Sequence, residues 1–412
     1  MGQRHAVTKK MAAAYRRGTR GEKSEILDTL VKLTGWHRDH ARHALKDSGT
    51  ITLVRPRKPR ASRYPAHLSV ALALIWTLSR YPAGKRLAPM LPTWVVMLRR
   101  DGDLDLSDSD ATLLVSMSAA TIDRRLAPER ARLGLKGRSH TKPGTLLKSQ
   151  IPIRTWAEWT EDRPGFLEID LVGHEGGNSS GEFCFTLTMT DIATGWTVNR
   201  SVRNKAAVWV IQAIDEAATH FPFPILGIDS DNGSEFINHH LYAYCLERKI
   251  TFTRSRSGNK NDGAHVEQKN WTHVRQLVGY LRYNTNAELE LLNRIWALDA
   301  VFTNYLLAQQ KLIEKHRDGA KVTKRFDRAQ TPHLRTTAHP EVTDIARARM
   351  NQTFASIHVA ALSDEIERLL KELEHLALTK SLAPTRRVNQ TFNRPLHPEV
   401  LDEAMNQASR RI

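Results

Sequence analysis

Residues 166–174 read FLEIDLVGH, and FCFTLTMTD (183–191) and WTVNRSVRN (196–204) repeat the same character. Each is a short run of β-branched, aromatic and aliphatic residues set off by Gly-rich or polar stretches, which predicts three antiparallel strands. Downstream the hydrophobic period lengthens and then alternates. It predicts a helix over 205–220 (KAAVWVIQAIDEAATH), a strand PILGIDS (224–230), a helix SEFINHHLYAYCLERK (234–249), a strand ITFTRS (250–255) and a long helix from 262. The order βββαβαβα joins an antiparallel meander to crossover units, so the expected fold class is α/β: a mixed sheet with helices on its faces.

Three acids stand out within this frame. Asp170 lies inside the first strand, on the side shared with Phe166, Glu168 and Val172, where an unpaired carboxylate is costly to bury. Asp231 lies just past the carboxyl end of PILGIDS, where open α/β sheets build their sites, with Gly233 turning into the next helix. Glu267 falls in the apolar stripe Ala264, Trp271, Val274, Val278, Leu281 of the helix from 262. One such acid is ordinarily a cap or an ion-pair partner. Three in one sheet-and-helix layer repel each other unless a cation lies between them. Mg²⁺ and Mn²⁺ take oxygen ligands, and two such ions activate a water or hydroxyl for in-line displacement at phosphorus. Glu168, Asp191 and Asp229 read as structural; Asn232, Lys260, His265 and Lys269 flank the acids as candidate phosphate or water contacts.

The charge distribution points the same way. Of 61 Lys+Arg and 44 Asp+Glu, residues 1–150 hold 29 and 12, so the whole net charge of +17 sits in the first third, as expected for a segment facing a polyanion. SEILDTLVKLT (24–34), with Ile26, Leu27, Leu30 and Leu33 on one side, Gly35, and HRDHARHALK (37–46) give helix, turn, basic helix. This is the helix-turn-helix layout, with Arg38, Arg42 and Lys46 on one face toward DNA. RPRKPRASRYP (55–65) is a Pro-interrupted basic linker whose Arg55, Arg57 and Lys58 are candidate backbone contacts. HLSVALALIWTLSRY (67–81) reads as a buried helix, and SAATIDRRLAPER (118–130), capped by Ser118, offers Thr121, Arg124 and Arg125 as a second DNA-reading helix.

The expected organisation is therefore a helix-turn-helix domain (1–54), a linker (55–65), a second helical DNA-binding region (66–150), a catalytic core (151–316) and a C-terminal region (317–412). Within the last, residues 317–340 look extended and irregular, and 362–378 form an amphipathic helix with Ile366, Leu369, Leu373 and Leu376 in its stripe. Two cysteines, Cys184 and Cys245, supply neither a disulfide framework nor a zinc cluster. With no apolar run near the ~18–20 residues of a membrane helix and no secretory h-region, a cytoplasmic, nucleoid-associated setting is expected.

DSDNGSEFIN (229–238), NDGAHVEQKNW (261–271), the thirty-five residues between Asp231 and Glu267, and FLEIDLVGH together resemble the core of DDE transposases and retroviral-type integrases. TLTMTDIATGW (186–196) and TFTRSRSGNKNDGAHVEQKN (251–270) are similar to a bacterial insertion-sequence branch. The likeness is strong over 166–283. It implies an RNase H-like, five-stranded mixed sheet with flanking helices, and the triad Asp170, Asp231, Glu267 as catalytic metal ligands. It also implies Mg²⁺ or Mn²⁺, two ions, as cofactor, with double-stranded DNA (element ends and target) as partner and assembly as a homo-oligomer. Expected activity is 3′-end cleavage and strand transfer, that is, transposition of an insertion sequence. The competing expectation is a non-catalytic, transposase-derived DNA-binding repressor or architectural protein. The His/Cys zinc module of retroviral integrases has no counterpart among the N-terminal residues.

Overall fold

A computed structural model of the chain describes residues 2–48, 63–133, 163–230, 236, 238–254, 269–319 and 321–380. It forms two compact units, Met1–Arg63 and Tyr64–Ile412.

The first unit holds three helices, α1 (Gly2–Arg17), α2 (Arg20–Thr34) and α3 (Arg38–Asp47). α2 begins with a capping box, in which Thr19 and Glu22 satisfy each other's backbone N–H groups, and ends at Gly35, whose φ of 68° is the left-handed conformation that glycine adopts most cheaply. A small core of Ala12, Tyr15, Leu27, Leu30, Ala41 and Leu45 joins all three. Leu33, expected in the buried stripe, is 64% exposed, and Thr34 takes the inward position instead.

In the second unit the expected strands appear as β1 (Phe166–Gly173), β2 (Phe185–Asp191), β3 (Thr197–Val202), β4 (Gly227–Ser230) and β5 (Thr251–Arg254). They are ordered β3-β2-β1-β4-β5. β1–β2 and β2–β3 pair antiparallel, β1–β4 and β4–β5 parallel. This is the RNase H-like arrangement. Crossover helices α10 (Ala207–Ala218) and α11 (His239–Glu247) bury Val210, Ile214, Leu241 and Tyr244.

The two sheet faces differ. One carries Leu167, Ile169, Leu187, Met189, Val198 and Ile228, all buried. The other carries Glu168, Thr186, Thr188, Thr190, Thr197, Asn199, Ser201, Asp229 and Thr253, buried as well. A buried polar face must find hydrogen bonds, and α13 (Asn286–Val301), continued by a π-helical turn (Phe302–Leu306), supplies several. The Asn304 side-chain amide donates to Thr197 O (2.8 Å) and accepts from Thr197 N (2.9 Å). Asn293 treats Ser201 in the same way, and Trp296 Nε1 donates to Ser201 Oγ at 2.7 Å. The amides thus stand in for a sixth strand along the outer edge of β3.

The helices between Tyr64 and Leu133 share this core. α4 (Leu68–Leu78), α5 (Gly84–Leu87), α6 (Leu91–Asp101), α7 (Asp108–Val115), α8 (Ala119–Arg125) and α9 (Ala127–Leu133) belong to one continuous hydrophobic cluster with the sheet. Trp94 Nε1 donates to Leu306 O at 3.1 Å, and Arg80 pairs with the buried Asp299 at 2.5 Å. The boundary expected at 150/151 therefore does not divide the described residues into separate cores. α4 is apolar nearly all round, and sequence alone does not say which partner covers it. Beyond α13, a two-stranded sheet of β6 (Leu312–Asp318) and β7 (Lys321–Phe326) runs into the expected irregular stretch 317–340, which also holds α14 (Pro332–Ala338). α15 (Asp344–Ala355) and α16 (Val359–Thr379) follow; α16 buries Ile366, Leu369, Leu370 and Leu373 within its own unit. Among the described residues no helix is long and apolar enough to cross a membrane.

Arg80 is the link most exposed to attack. Its guanidinium is the cation closest to the 1% exposed Asp299 and also lies 4.2 Å over the Phe302 ring. Arg80→Met, leaving that carboxylate buried without its cation, is expected to lower unfolding free energy by about 3 kcal/mol. Adding Asp299→Asn should recover much of the loss. Urea unfolding of the full chain checks this, and strictly additive effects would contradict it.

Candidate active site

β1 presents Asp170 at the centre of the polar face, half-buried and opposite Thr188 of β2. One carboxylate oxygen accepts from Leu171 N (2.8 Å); the other accepts from the side-chain amide of Asn270. Asn270 opens a π-helical turn (Asn270–Arg275) that runs into one α-helical turn (Gln276–Val278), together α12. π-turns interrupt helices mostly at functional sites. Four ties fix this one in place. Lys269 Nζ donates to Gln309 Oε1 (2.6 Å), His273 Nδ1 meets Thr303 Oγ1 (3.1 Å), Arg275 donates to Gly173 O at the end of β1 (2.7 Å), and Val274 and Val278 are buried in the core. The helix ends at Gly279 (φ 70°), so Leu281, expected on its stripe, lies beyond it.

The parallel register sets Leu167 beside Ile228, Glu168 beside Asp229 and Ile169 beside Ser230. The next residues in the sequence are Asp170 and Asp231. Asp231, Glu267, Asn232, Lys260 and His265 lie outside the described residues. Among the described residues no three His, Cys, Asp or Glu side chains form a metal-binding group. What is described does suit a hard cation. Asp170 offers carboxylate oxygens, and beside it Asn270 Oδ1 is buried without a hydrogen-bond partner. Thr188 Oγ1 and Asn199 Oδ1, in the same cross-strand row as Asp170, are likewise buried and unpartnered. Asn270 was not singled out from sequence. Its signal there is only its position three residues after Glu267, one helical step on the same face.

The neighbouring acids have structural tasks. Asp229 accepts from Thr253 Oγ1 across β4–β5 (2.5 Å). Asp191 accepts from Gly165 N (2.8 Å), Thr194 N (2.7 Å) and Thr194 Oγ1 (2.6 Å), closing the β2–β3 turn. Burial pushes its carboxyl up to about 6 against the pull of these bonds and of Lys311. Lys269 does not face solvent: burial first, then the charges of Arg86 and Arg335, opposed by Asp299, push its amine down to about 7. An inward, Gln309-bound amine is no phosphate contact.

The expected DNA contacts divide similarly. Arg38 ties α3 to α2 through Ser24 Oγ (2.7 Å) and Asp28. Arg42 pairs with Asp39 at 2.6 Å, and Lys46 is exposed. Thr121 bonds Ser118 and Arg124 on the surface of α8. Arg125 instead turns inward, donating to Tyr64 O, Pro65 O and Ser69 Oγ, so it fastens the start of the unit and is not available to read bases. Arg55, Arg57 and Lys58 lie outside the described residues.

Comparison with known proteins fits this geometry. The integrase core domain family model matches residues 161–260. Over 349 residues the chain is 38% identical to "Uncharacterized protein y4rM" of Sinorhizobium fredii (strain NBRC 101917 / NGR234), spanning 84% of this chain and 95% of that protein. Among solved structures it is similar to the catalytic core domain of BIV integrase (16% identity, 41% of this chain and 91% of that one, TM-score 0.28). It is also similar to the HTLV-2 integrase catalytic core domain in complex with magnesium (15% identity, 35% and 90%, TM-score 0.27). The β3-β2-β1-β4-β5 sheet and the integrase core match across it define the class of fold. The chain belongs to the DDE transposase and integrase superfamily, in the company of protein y4rM.

Asp191 yields a pH test. Its folded pKa of about 6 lies above the ordinary 3.8, so between those values the native state holds the extra proton. Its contribution to stability is then largest below about pH 4, falls as pH rises through the window and is flat above it. The unfolding free energy of the native chain minus that of Asp191→Asn is expected to drop by about 2 kcal/mol from pH 4 to 7. Denaturant titrations at stepped pH measure it, and a difference that rises with pH contradicts the assignment.

Proposed function

We propose that the chain is a transposase of the insertion-sequence type, cleaving the 3′ ends of a DNA element and joining them to target DNA, with Asp170, Asp231 and Glu267 as its catalytic carboxylates. The observation that carries this reading is the convergence on Asp170. Ser230, which precedes Asp231, pairs in register with Ile169, which precedes Asp170. Asn270, three residues after Glu267, donates to Asp170 itself. One described flank thus runs beside the residue before Asp170, and the other bonds the Asp170 carboxylate itself.

The three carboxylates, with the Asn270 carbonyl oxygen beside them, would hold divalent cations, Mg²⁺ or Mn²⁺. Such ions supply a nucleophile at neutral pH and neutralise charge on the leaving oxygen. The chain's own part is placement. The α12 ties hold Asn270 so that its N–H fixes the Asp170 rotamer. In the first step a water oxygen bonds to the scissile phosphorus and the 3′-oxygen leaves, taking a proton. In the second, that 3′-hydroxyl loses its proton, attacks a target phosphodiester and expels the target's own 3′-oxygen. No bond to the protein forms. The basic first third of the chain, with Lys46 exposed and Arg42 half-exposed on the α3 surface of the helical unit, supports recognition of the element's ends, and holding two ends together calls for more than one copy.

Asp231→Asn or Glu267→Gln should reduce Mg²⁺-dependent strand transfer on a donor duplex to background while leaving duplex binding within about twofold. Asn270→Ala should lower it by about 10–100-fold, as loss of an outer partner of a metal ligand does, and raise the Mg²⁺ concentration needed for half-activity. Persistent transfer by Asp231→Asn would exclude that residue. An inactive native chain that still binds DNA would favour the repressor reading.

A further inference from the structure

β6 and β7 pair only with each other among the described residues. A lone two-stranded ribbon is marginally stable in water, and this one leaves Ile313 55%, Val322 37% and Phe326 47% exposed. Its sequence, KLIEKHRDGAKVTKRF (311–326), holds six Lys and Arg against two acids. The register sorts them. Glu314 pairs with Arg325, His316 with Thr323 and Asp318 with Lys321, so both acids fall on one face opposite cations. Arg325 and Glu314 form an ion pair at 3.2 Å. The other face receives the register pairs Lys315–Lys324 and Arg317–Val322, with Phe326 at its end and no acid. Like charges directly opposed across a ladder destabilise it. A face that combines such a pair with exposed apolar residues is one that a polyanion would complete.

The ribbon's base is fixed firmly. Lys311 donates to Asp327 Oδ1 (2.7 Å) and, through Nζ, to Ala193 O (2.8 Å). Asp327 pairs with Arg335, and Gln309 and Gln330 exchange backbone bonds of 2.8 and 3.0 Å. Gln309 is also the acceptor of Lys269, the residue before Asn270. The ribbon therefore springs from the same frame that positions Asn270 on Asp170.

We propose that the β6–β7 ribbon is a duplex-DNA-binding arm, applying the face of Val322, Lys324 and Phe326 to DNA. The major groove, about 12 Å wide, admits a two-stranded ribbon; Lys324 meets a phosphate or a guanine edge, and the apolar residues meet thymine methyls. This extends the DNA-transfer reading by giving the catalytic unit its own grip on the duplex, separate from the N-terminal helices.

The test uses the full chain in EDTA with a duplex of arbitrary sequence, so that no result depends on the catalytic acids. Lys324→Ala should lower the slope of log Kobs against log salt by about 1, whereas Arg325→Ala on the opposite face should leave it unchanged, both with unaltered thermal unfolding. Both native cysteines are buried. Lys324→Cys should consequently form a disulfide with a duplex bearing a tethered thiol, and Arg325→Cys should not. An unchanged slope for Lys324→Ala, equal losses for the two alanine variants, or equal trapping of the two cysteine variants would each overturn the proposal. Failure of the triad would appear separately, as DNA bound through the ribbon with no transfer.

Discussion

A carboxylate on the inner face of a covered sheet is tolerated only where hydrogen bonds or ions meet it, and the Asp170–Asn270 contact is where this chain meets that demand. The contact requires β1 to be central, since only there does a strand have an antiparallel neighbour on one side and a parallel one on the other. It also requires α12 to lie across the polar face at one height, which the bonds from Lys269, His273 and Arg275 enforce. Those bonds in turn depend on Gln309, Thr303 and Gly173, so two segments distant in sequence are committed to the setting of one side chain.

The cost of this design spreads outward. Burying the edge of β3 and Ser201 obliges α13 and its π-helical turn to answer them with Asn293, Trp296 and Asn304 rather than with aliphatic side chains. Asp299, buried on the same helix, in turn needs Arg80 from the neighbouring helical segment. The helices between Tyr64 and Leu133 thereby become part of the same unit as the integrase core through electrostatics as well as packing.

Much of this was legible in the sequence. Alternation in TLTMTD gave the strands, and their order gave the mixed sheet, because period-2 and helical patterns are set by local geometry. Alternation also misleads. Thr186, Thr188 and Thr190 look like an outward face, and nothing local reveals that helices cover them. The stripe ending in Leu281 ran past Gly279 because one glycine's conformation, rather than hydrophobicity, stops the helix. The β6–β7 ribbon escaped because its cross-strand pattern is written in charges, with few β-formers, and α1 because a basic helix with few apolar positions resembles a tail. Asn270 escaped for a different reason. Its partner lies a hundred residues away, and no local pattern encodes that distance.

The amide pairs from Asn293 and Asn304 along β3 bear on how copies of this chain meet. An open strand edge is a template on which another molecule can build by main-chain pairing. Here two side-chain amides already occupy donors and acceptors on that edge. Growth of the sheet across β3 is closed, so any assembly at that side must rest on helix surfaces and loops, whose contacts discriminate between partners far better than a bare backbone does.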